Sequence, residues 1–270
     1  MVTAPLPHTR TPLFVPANRP ERFAKAAASG ADGIILDLED AVAADARDAA
    51  RMALRRDFTP LPVMVRINAA HTRWHAADLA AVRQLLPAAV MLPKAEQPDV
   101  VAGVVAALGG QIPVLALIET AGGLAQARAI AALPGVEQLV FGSVDFCADL
   151  GCEHQREVLL PARFELVLAS RLAGIAAPLD GVTTRLDDPA IVQADARHAR
   201  DLGMGGKLCI HPRQIAAVQN AFAPSAAEVD WARRVLASGD GAVAVDGAMV
   251  DEPVRQRARA ILAAQPQTRP

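Results

Sequence analysis

Short runs of apolar residues alternate with longer stretches of helical period along most of the chain. The apolar runs are continuous, which is typical of parallel strands covered on both faces. Eight runs predict strands, at residues 13–16, 33–37, 63–67, 90–92, 113–118, 138–142, 176–182 and 207–211. A helix is predicted after each strand, and one long helix is expected to run from the sixth strand to about Gly174. The units repeat about every 25–35 residues, which is the spacing of βαβ units.

Eight strand–helix units predict an α/β fold, an eight-stranded parallel TIM barrel within residues 1–223. The alternative is an open doubly wound sheet, which more often has a glycine-rich first turn. Residues 224–270 lie outside the repeats and predict a helix, a short strand at 242–245, a turn at Asp246-Gly247 and a last helix over 253–264. We expect this C-terminal extension to be a helical lid that contacts a neighbouring subunit.

Composition narrows the possible partners. The 270 residues are 52% hydrophobic with a net charge of −2, so the chain can bury a core and is not expected to be disordered. Only 3% of the residues are aromatic, which disfavours a nucleic-acid partner. No run reaches the roughly 18 apolar residues of a membrane span, and no signal peptide is expected at the start. Three cysteines without a Cys-x-x-Cys pattern predict free thiols in the cytoplasm.

Charged and polar residues stand where the predicted strands end. In a parallel barrel all strands open at their C-terminal ends on one face, so these side chains are expected to converge. They are Asp37, Glu39, Asp40, Arg66, Asn68, Lys94, Glu119, Asp145 and His211. The pattern predicts a catalytic mouth. No Ser–His–Asp relay can be assembled from the sequence alone.

Two carboxylates in this set predict a metal site. Glu119 and Asp145 end adjacent strands, and no cysteine or histidine cluster accompanies them, which favours a hard cation such as Mg²⁺. Asp37 and Glu39 are the rival pair. They are interpreted as groups that orient metal-bound waters or pair with Lys94.

Two basic residues at the mouth have alternative interpretations. Arg66 lies in an otherwise apolar strand and needs an anionic partner, which is either a substrate carboxylate or Asp37 and Glu39 themselves. Lys94 is either a functional group or a structural ion-pair partner of the acids.

Seven short motifs carry a resemblance that spans nearly the whole chain. They are LFVPANRPERF at 13–23, LDLEDAV at 36–42, VRIN at 65–68, LPK at 92–94, IETA at 118–121, FGSVD at 141–145 followed by DLG at 149–151, and KLCIHP at 207–212. In this order and spacing the chain resembles the citrate lyase β-subunit family, whose relatives cleave malyl-CoA and citramalyl-CoA. It departs from the family's pattern at Ala17, where glycine is frequent, and at Gly123, where many members have arginine.

The resemblance implies a TIM barrel that forms a homotrimer or a dimer of trimers, with Mg²⁺ held by Glu119 and Asp145. It also implies that Arg66 binds the carboxylate of the keto-acid portion. The segment around Asp251 resembles a lid that brings a catalytic aspartate from a neighbouring subunit, although Asp251 could equally cap the last helix.

The implied activity is that of a Mg²⁺-dependent carbon–carbon lyase. Its substrate would be a 3-hydroxy-3-carboxy acyl-CoA, cleaved to acetyl-CoA and a 2-keto acid, with Asp251 protonating the acetyl carbanion. Arg19, Lys25 and Lys94 are the candidate residues for binding the cofactor portion, although a solvated helix face explains the first two equally well. Alternatives are a citrate lyase β subunit acting on citryl-acyl carrier protein, a malyl-CoA thioesterase, and a non-catalytic barrel.

Overall fold

The structure, a computed structural model, describes residues 9–239 and 243–264. Its main element is a sheet of eight parallel strands, each paired with the next along the chain. The strands are β1 Pro12–Pro16, β2 Gly33–Asp37, β3 Val63–Arg66, β4 Ala89–Leu92, β5 Val114–Ile118, β6 Val136–Phe141, β7 Ala176–Asp180 and β8 Gly206–Lys207. The sequential order confirms the predicted parallel barrel.

Backbone hydrogen bonds join the last strand region to the first. The Cys209 N–H donates to the Pro12 carbonyl at 2.9 Å, and the Phe14 N–H donates to the Cys209 carbonyl at 2.9 Å. An open doubly wound sheet has two unpaired edges and a reversal of strand order, so this closure rules out that alternative.

Helices follow the strands as the periodicity predicts, but several are shorter. In the barrel region they are α1 Phe23–Ala27, α2 Arg47–Met52, α3 His75–Leu85, α4 Pro98–Ala107, α5 Ala121–Ala125, α6 Ala127–Ala131, α7 Ser143–Leu150, α8 Arg156–Ala173, α9 Pro189–Asp201 and α10 Ile215–Phe222. The prediction of one long helix after β6 is wrong. Gly151 adopts φ 65° and ends α7, and the Cys152 N–H donates to the Cys147 carbonyl at 3.1 Å.

Burial explains why the strands have continuous apolar sequences. Every residue of β2, β3, β4 and β5 is buried, because one face packs in the barrel interior and the other packs under the helices. The interior is an apolar cluster of Ile35, Met64, Ala89, Met91, Leu115, Leu117, Val140, Leu179 and Leu208. The interior is therefore filled by side chains, and polar groups gather where the strands end.

Contacts divide the chain into two compact units, Met1–Gln219 and Asn220–Pro270. The second unit contains α11 Ala226–Ala237, an antiparallel pair of β9 Val243–Val245 and β10 Ala248–Val250, and α12 Glu252–Ala263. Asp246 and Gly247 have φ 50° and 78°, so the predicted turn forms a hairpin. Residue 242 of the predicted strand lies outside the described residues, as do residues 1–8. The division at 223/224 and the lid role stay predictions.

Two further expectations concern thiols and membranes. Cys147, Cys152 and Cys209 are free thiols, as the cysteine pattern predicts. Within the described residues, every helix is too short or too polar to span a bilayer.

Candidate active site

Predicted site residues converge on one cavity at the strand ends. The cavity has a volume of about 370 Å³. Five of the charged residues predicted at the strand ends line it, namely Asp37, Asp40, Arg66, Glu119 and Asp145. Its other lining residues are Phe14, Ala41, Leu117, Phe141, Gly142, Ser143, Val144, Val182, Leu208 and Ile210. The rule that parallel strands open on one face therefore brings together acids and a base that are far apart in sequence.

Arg66 is the centre of a buried charge cluster at one side of the cavity. Its Nε donates to Asp37 Oδ1 at 2.7 Å, and its Nη2 donates to Asp37 Oδ2 at 2.7 Å. Its Nη1 lies 3.1 Å from Glu39 Oε2 and donates to Asp40 Oδ2 at 3.3 Å. The ring of Phe14 lies under the guanidinium, with its centroid 4.9 Å from Cζ. The structure thus gives Arg66 the internal partners that the sequence left as an alternative.

Asp37 is held rigidly in this cluster. Besides the paired bonds from Arg66, its two oxygens accept the backbone N–H groups of Glu39 and Ala41, each at 3.0 Å. Asp37 and Glu39 therefore pair with Arg66, which corrects the interpretation that they pair with Lys94. Asp40, whose side chain is 60% exposed, is the weakly held partner of the guanidinium.

Glu39 is an unusual carboxyl group. Its Oε2 is buried without a directed hydrogen bond from the described residues, although Arg66 Nη1 is close, because the approach lies off the N–H direction. Burial raises the pKa of Glu39 from 4.5 to about 8, and the charge of Arg66 offsets only part of this effect. At neutral pH the neutral form of Glu39 therefore dominates.

Glu39→Gln is expected to change the pH dependence of stability. The folded state keeps a proton on Glu39 that the unfolded chain releases above pH 4.5, so the free energy of unfolding of the wild type falls as pH rises from 4.5 to about 8. Glutamine is neutral at every pH, so the variant does not show this fall in the free energy of unfolding. We expect the free energy of unfolding of Glu39→Gln to exceed that of the wild type by about 4 kcal/mol at pH 8 and to match it near pH 4.5. Denaturant unfolding without divalent ions at both pH values measures this, and an equal difference at both would contradict it.

The second charge cluster joins Glu119, Asp145 and Lys94. Glu119 follows β5 and is 2% exposed, while Asp145 lies in the first turn of α7 with its side chain 40% exposed. Lys94 Nζ lies 3.5 Å from Glu119 Oε1 and donates to Asp145 Oδ1 at 3.1 Å. Lys94 has φ 51°, and its backbone N–H donates to Glu119 Oε1 at 2.8 Å. The ion-pair interpretation of Lys94 is therefore what the structure shows.

Gly142 allows Glu119 to take its position. A Cβ added at Gly142 would lie 2.4 Å from Glu119 Cβ and 2.6 Å from Glu119 Oε2. Both contacts are far shorter than real side-chain contacts, so a residue other than glycine would push the carboxylate aside. The glycine before α7 thus lets the acid of β5 reach the first turn of that helix.

The donor set of Glu119 and Asp145 fits a magnesium ion. The ammonium of Lys94 already lies between the two carboxylates, so the pair is arranged around positive charge. Among residues 9–239 and 243–264, no group of three or more His, Cys, Asp and Glu side chains is arranged to hold a metal. Mg²⁺ commonly takes one or two carboxylates and completes its shell with water and substrate oxygens, whereas Zn²⁺ takes at least three protein ligands.

Burial also shifts the pKa of Glu119. It raises the pKa of Glu119 from 4.5 to about 7, and the charge and backbone N–H of Lys94 offset part of the shift. A bound divalent cation would favour the ionised carboxylate, as metal ligation generally does.

Three of the remaining predicted residues, Arg19, Asp251 and His211, have structural partners, whereas Lys25 is exposed. Arg19 is exposed and pairs with Glu21 at 2.6 Å, while Lys25 lies exposed on α1. Asp251 accepts the Val254 N–H at 3.3 Å and is the N-cap of α12. His211 accepts the Arg213 N–H at 3.2 Å. Cofactor binding by Arg19, Lys25 and Lys94 and catalysis by Asp251 stay predictions.

One pair at the cavity has no counterpart in the sequence analysis. Ser143, the first residue of α7, lies 2.8 Å from His154 through Oγ and Nε2. Eleven positions separate them, and the break at Gly151 that turns the chain back is what brings them together. A single predicted helix would have kept them about 16 Å apart, at 1.5 Å per residue.

The barrel and this site match a known family. Residues 10–212 match the family HpcH/HpaI aldolase/citrate lyase, which spans the eight strands and all cavity residues. The chain belongs to this family. Membership of the HpcH/HpaI aldolase/citrate lyase family supports lyase activity in general and confirms the resemblance that the motifs carry.

Two similar proteins carry the names of different activities. A (3S)-malyl-CoA thioesterase of Cereibacter sphaeroides is 35% identical over 257 residues, covering 90% of this chain and 89% of the relative. The mitochondrial citramalyl-CoA lyase of Homo sapiens is 30% identical over 284 residues, covering 93% of this chain and 83% of the relative.

A solved structure of a similar protein includes bound ligands. Protein CitE of Mycobacterium tuberculosis, in complex with magnesium, acetoacetate and coenzyme A, superposes with a TM-score of 0.86. It is 41% identical, and the match covers 95% of this chain and 98% of CitE.

Proposed function

We propose that this chain is a Mg²⁺-dependent carbon–carbon lyase that cleaves a 3-hydroxy-3-carboxy acyl-CoA, of the malyl-CoA or citramalyl-CoA type, into acetyl-CoA and a 2-keto acid. The observation that carries the proposal is the cavity of about 370 Å³ that Arg66 lines together with the acids Glu119 and Asp145. The complex of CitE with magnesium and coenzyme A supports the same ligand class.

Residues of the cavity can bind the substrate carboxylate and stabilise the negative charge that develops during cleavage. Arg66 would bind the substrate carboxylate, replacing the exposed Asp40 while the buried Asp37 keeps the guanidinium in place. Asp37 and Glu39 act as positioning residues for Arg66. When bound, Mg²⁺ held by Glu119 and Asp145 would stabilise the negative charge that develops on the hydroxyl and carboxylate oxygens.

Bond cleavage requires the hydroxyl proton to pass to a water molecule as the carbon–carbon bond breaks. The electron pair of that bond passes to the carbon next to the thioester, which becomes the enolate of acetyl-CoA. Proton delivery to this carbon is the role we propose for Asp251, supplied by a neighbouring subunit in a homotrimer or dimer of trimers. The apolar wall formed by Leu117, Val182 and Leu208 keeps water away from the reacting carbon.

Two variants of Asp251 separate catalysis from helix capping. Serine is a good N-cap and keeps the bond to the Val254 N–H, whereas alanine loses it. We expect Asp251→Ser and Asp251→Ala both to lower kcat by about 10²-fold or more, because both lack the acid. Only Asp251→Ala is expected to lose about 1 kcal/mol of stability. Cleavage at the wild-type rate by Asp251→Ser would leave Asp251 with the capping role alone.

A substrate panel tests the function itself. The purified protein is incubated with Mg²⁺ and malyl-, methylmalyl- or citramalyl-CoA, and the products are identified by mass. Formation of glyoxylate or pyruvate together with a short acyl-CoA supports the proposal. Cleavage only of citryl-acyl carrier protein would indicate a citrate lyase β subunit, and failure to bind Mg²⁺ or any acyl-CoA would indicate a non-catalytic barrel.

A further inference from the structure

Ser143 and His154 form a hydrogen-bonded pair at the edge of the cavity. Ser143 Oγ lies 2.8 Å from His154 Nε2, which is the distance expected between a nucleophile and its base. When the imidazole carries its proton on Nδ1, the hydroxyl donates to Nε2. Nothing in the lyase reaction described above uses this pair.

Ser143 belongs to the same cavity as the charged groups. It lines the wall with Glu119 and Asp145, and it is 1% exposed to bulk solvent. Its position is tightly defined, because a Cβ added at Gly181 would lie 2.2 Å from Ser143 Oγ. A thioester held beside Asp145 would therefore have this hydroxyl within its surroundings.

His154 lines a neighbouring cavity of about 400 Å³. Val144 lines both cavities, and the Ser143–His154 hydrogen bond joins a residue that lines the first cavity to a residue that lines the second. Cys152 lines the neighbouring cavity as well.

Cationic neighbours favour the neutral imidazole. Burial and the charges of Arg163 and Lys207 lower the pKa of His154. These two cations are fixed by the buried Asp180, with Nε of Arg163 at 2.7 Å and Nζ of Lys207 at 2.8 Å. A neutral imidazole can accept the hydroxyl proton at physiological pH.

We propose that Ser143 and His154 form a hydrolytic dyad that cleaves the thioester bond of the bound acyl-CoA. The substrate class rests on the proposed function, but the hydrolytic step does not require carbon–carbon cleavage. The dyad would give this chain its own residues for thioester hydrolysis, the activity that names the (3S)-malyl-CoA thioesterase of Cereibacter sphaeroides, and would release free CoA and a free carboxylic acid.

The chemical steps balance with water as the second substrate. Ser143 Oγ attacks the thioester carbonyl and its proton passes to His154 Nε2. The carbon–sulfur bond breaks, and the leaving thiolate takes that proton as free CoA, leaving an ester on Ser143. Water then attacks the ester, gives one proton to His154 Nε2, and the ester oxygen of Ser143 recovers that proton as the acid leaves.

Two products distinguish the two activities in one reaction. Free CoA is measured by its thiol and the 2-keto acid is measured separately, with malyl-CoA, citramalyl-CoA and acetyl-CoA as probes. The wild type is expected to release CoA from at least one of them. In Ser143→Ala and His154→Gln the rate of CoA release is expected to fall by about 10²-fold or more. Cys152→Ala, in the same cavity as His154, is expected to stay within twofold.

The outcomes separate the dyad from the lyase proposal. Release of CoA without any keto acid supports the dyad and contradicts the lyase proposal. Keto acid without CoA release by the wild type overturns the dyad alone. The dyad is also overturned if Ser143→Ala, shown by thermal unfolding to be folded, hydrolyses the thioester at the wild-type rate. An acyl mass increment on the peptide containing Ser143, trapped by acid quench of the wild type during turnover and absent from Ser143→Ala, is the positive signature of the covalent step.

Discussion

Replacing Glu119 by glutamine is expected to lower kcat for cleavage of citramalyl-CoA or malyl-CoA by about 10³-fold or more, because the charge that stabilises a divalent cation is lost where negative charge develops. Glutamine has nearly the same shape, and the carboxylate it replaces has a pKa raised to about 7 by burial. The fold is therefore expected to be retained.

Calorimetric titration with Mg²⁺ and steady-state kinetics measure this loss. Glu157→Gln, an exposed acid on α8, is the matched control and is expected to behave as the wild type. Gly142→Ala adds a second arm. It keeps the Glu119 carboxylate but places a Cβ 2.4 Å from Glu119 Cβ, so it is expected to weaken Mg²⁺ binding too. Unchanged Mg²⁺ affinity and turnover in Glu119→Gln would remove Glu119 from the metal site.

Replacing Arg66 by methionine is expected to destabilise the protein by about 3–5 kcal/mol and to abolish activity. Asp37 is 1% exposed and takes two of its hydrogen bonds from this guanidinium. Removing one partner of a buried ion pair leaves the other charge without compensation, which accounts for the size of the effect. Denaturant unfolding gives the stability, and Arg66→Met is compared with wild type at the same pH.

Two further variants separate the structural role of Arg66 from the substrate role. The double variant Arg66→Met with Asp37→Leu removes both charges and is expected to recover much of the stability but none of the activity. Arg66→Lys keeps the charge but not the paired donors. It is therefore expected to raise KM for the substrate clearly while lowering the free energy of unfolding less than Arg66→Met does. If Arg66→Met unfolds at the same denaturant concentration as the wild type, the ion pair with Asp37 does not form in solution.

The positions of charged residues at the ends of parallel strands predicted the site well, whereas the partners of each side chain were harder to infer. Arg66, Glu119 and Asp145 were placed at one mouth from the sequence because parallel strands leave no other arrangement. Whether Arg66 met Asp37 or a substrate, and whether Lys94 met Asp37 or Glu119, depended on barrel register. The register pairs Asp37 with Arg66 directly across β2 and β3.

The pair Ser143–His154 shows the opposite case. Helical periodicity continues across residues 143–173, and only the left-handed glycine at 151 divides it into two helices. A glycine within a helical pattern either is tolerated or ends the helix, and local sequence does not decide between them. The sequence therefore showed the serine and the histidine without showing that they meet.

By itself the sequence predicted eight parallel strand–helix units and the set of charged residues at their ends, because hydrophobic period and strand length are local properties. The closure of the sheet was decided by the hydrogen bonds between Cys209 and the first strand. Only the tertiary structure decided which acid pairs with which base, how far the pKa values of Glu39 and Glu119 shift, and that Ser143 contacts His154. These depend on distances of a few ångströms between residues remote in sequence, and on the removal of water around them, neither of which a linear pattern records.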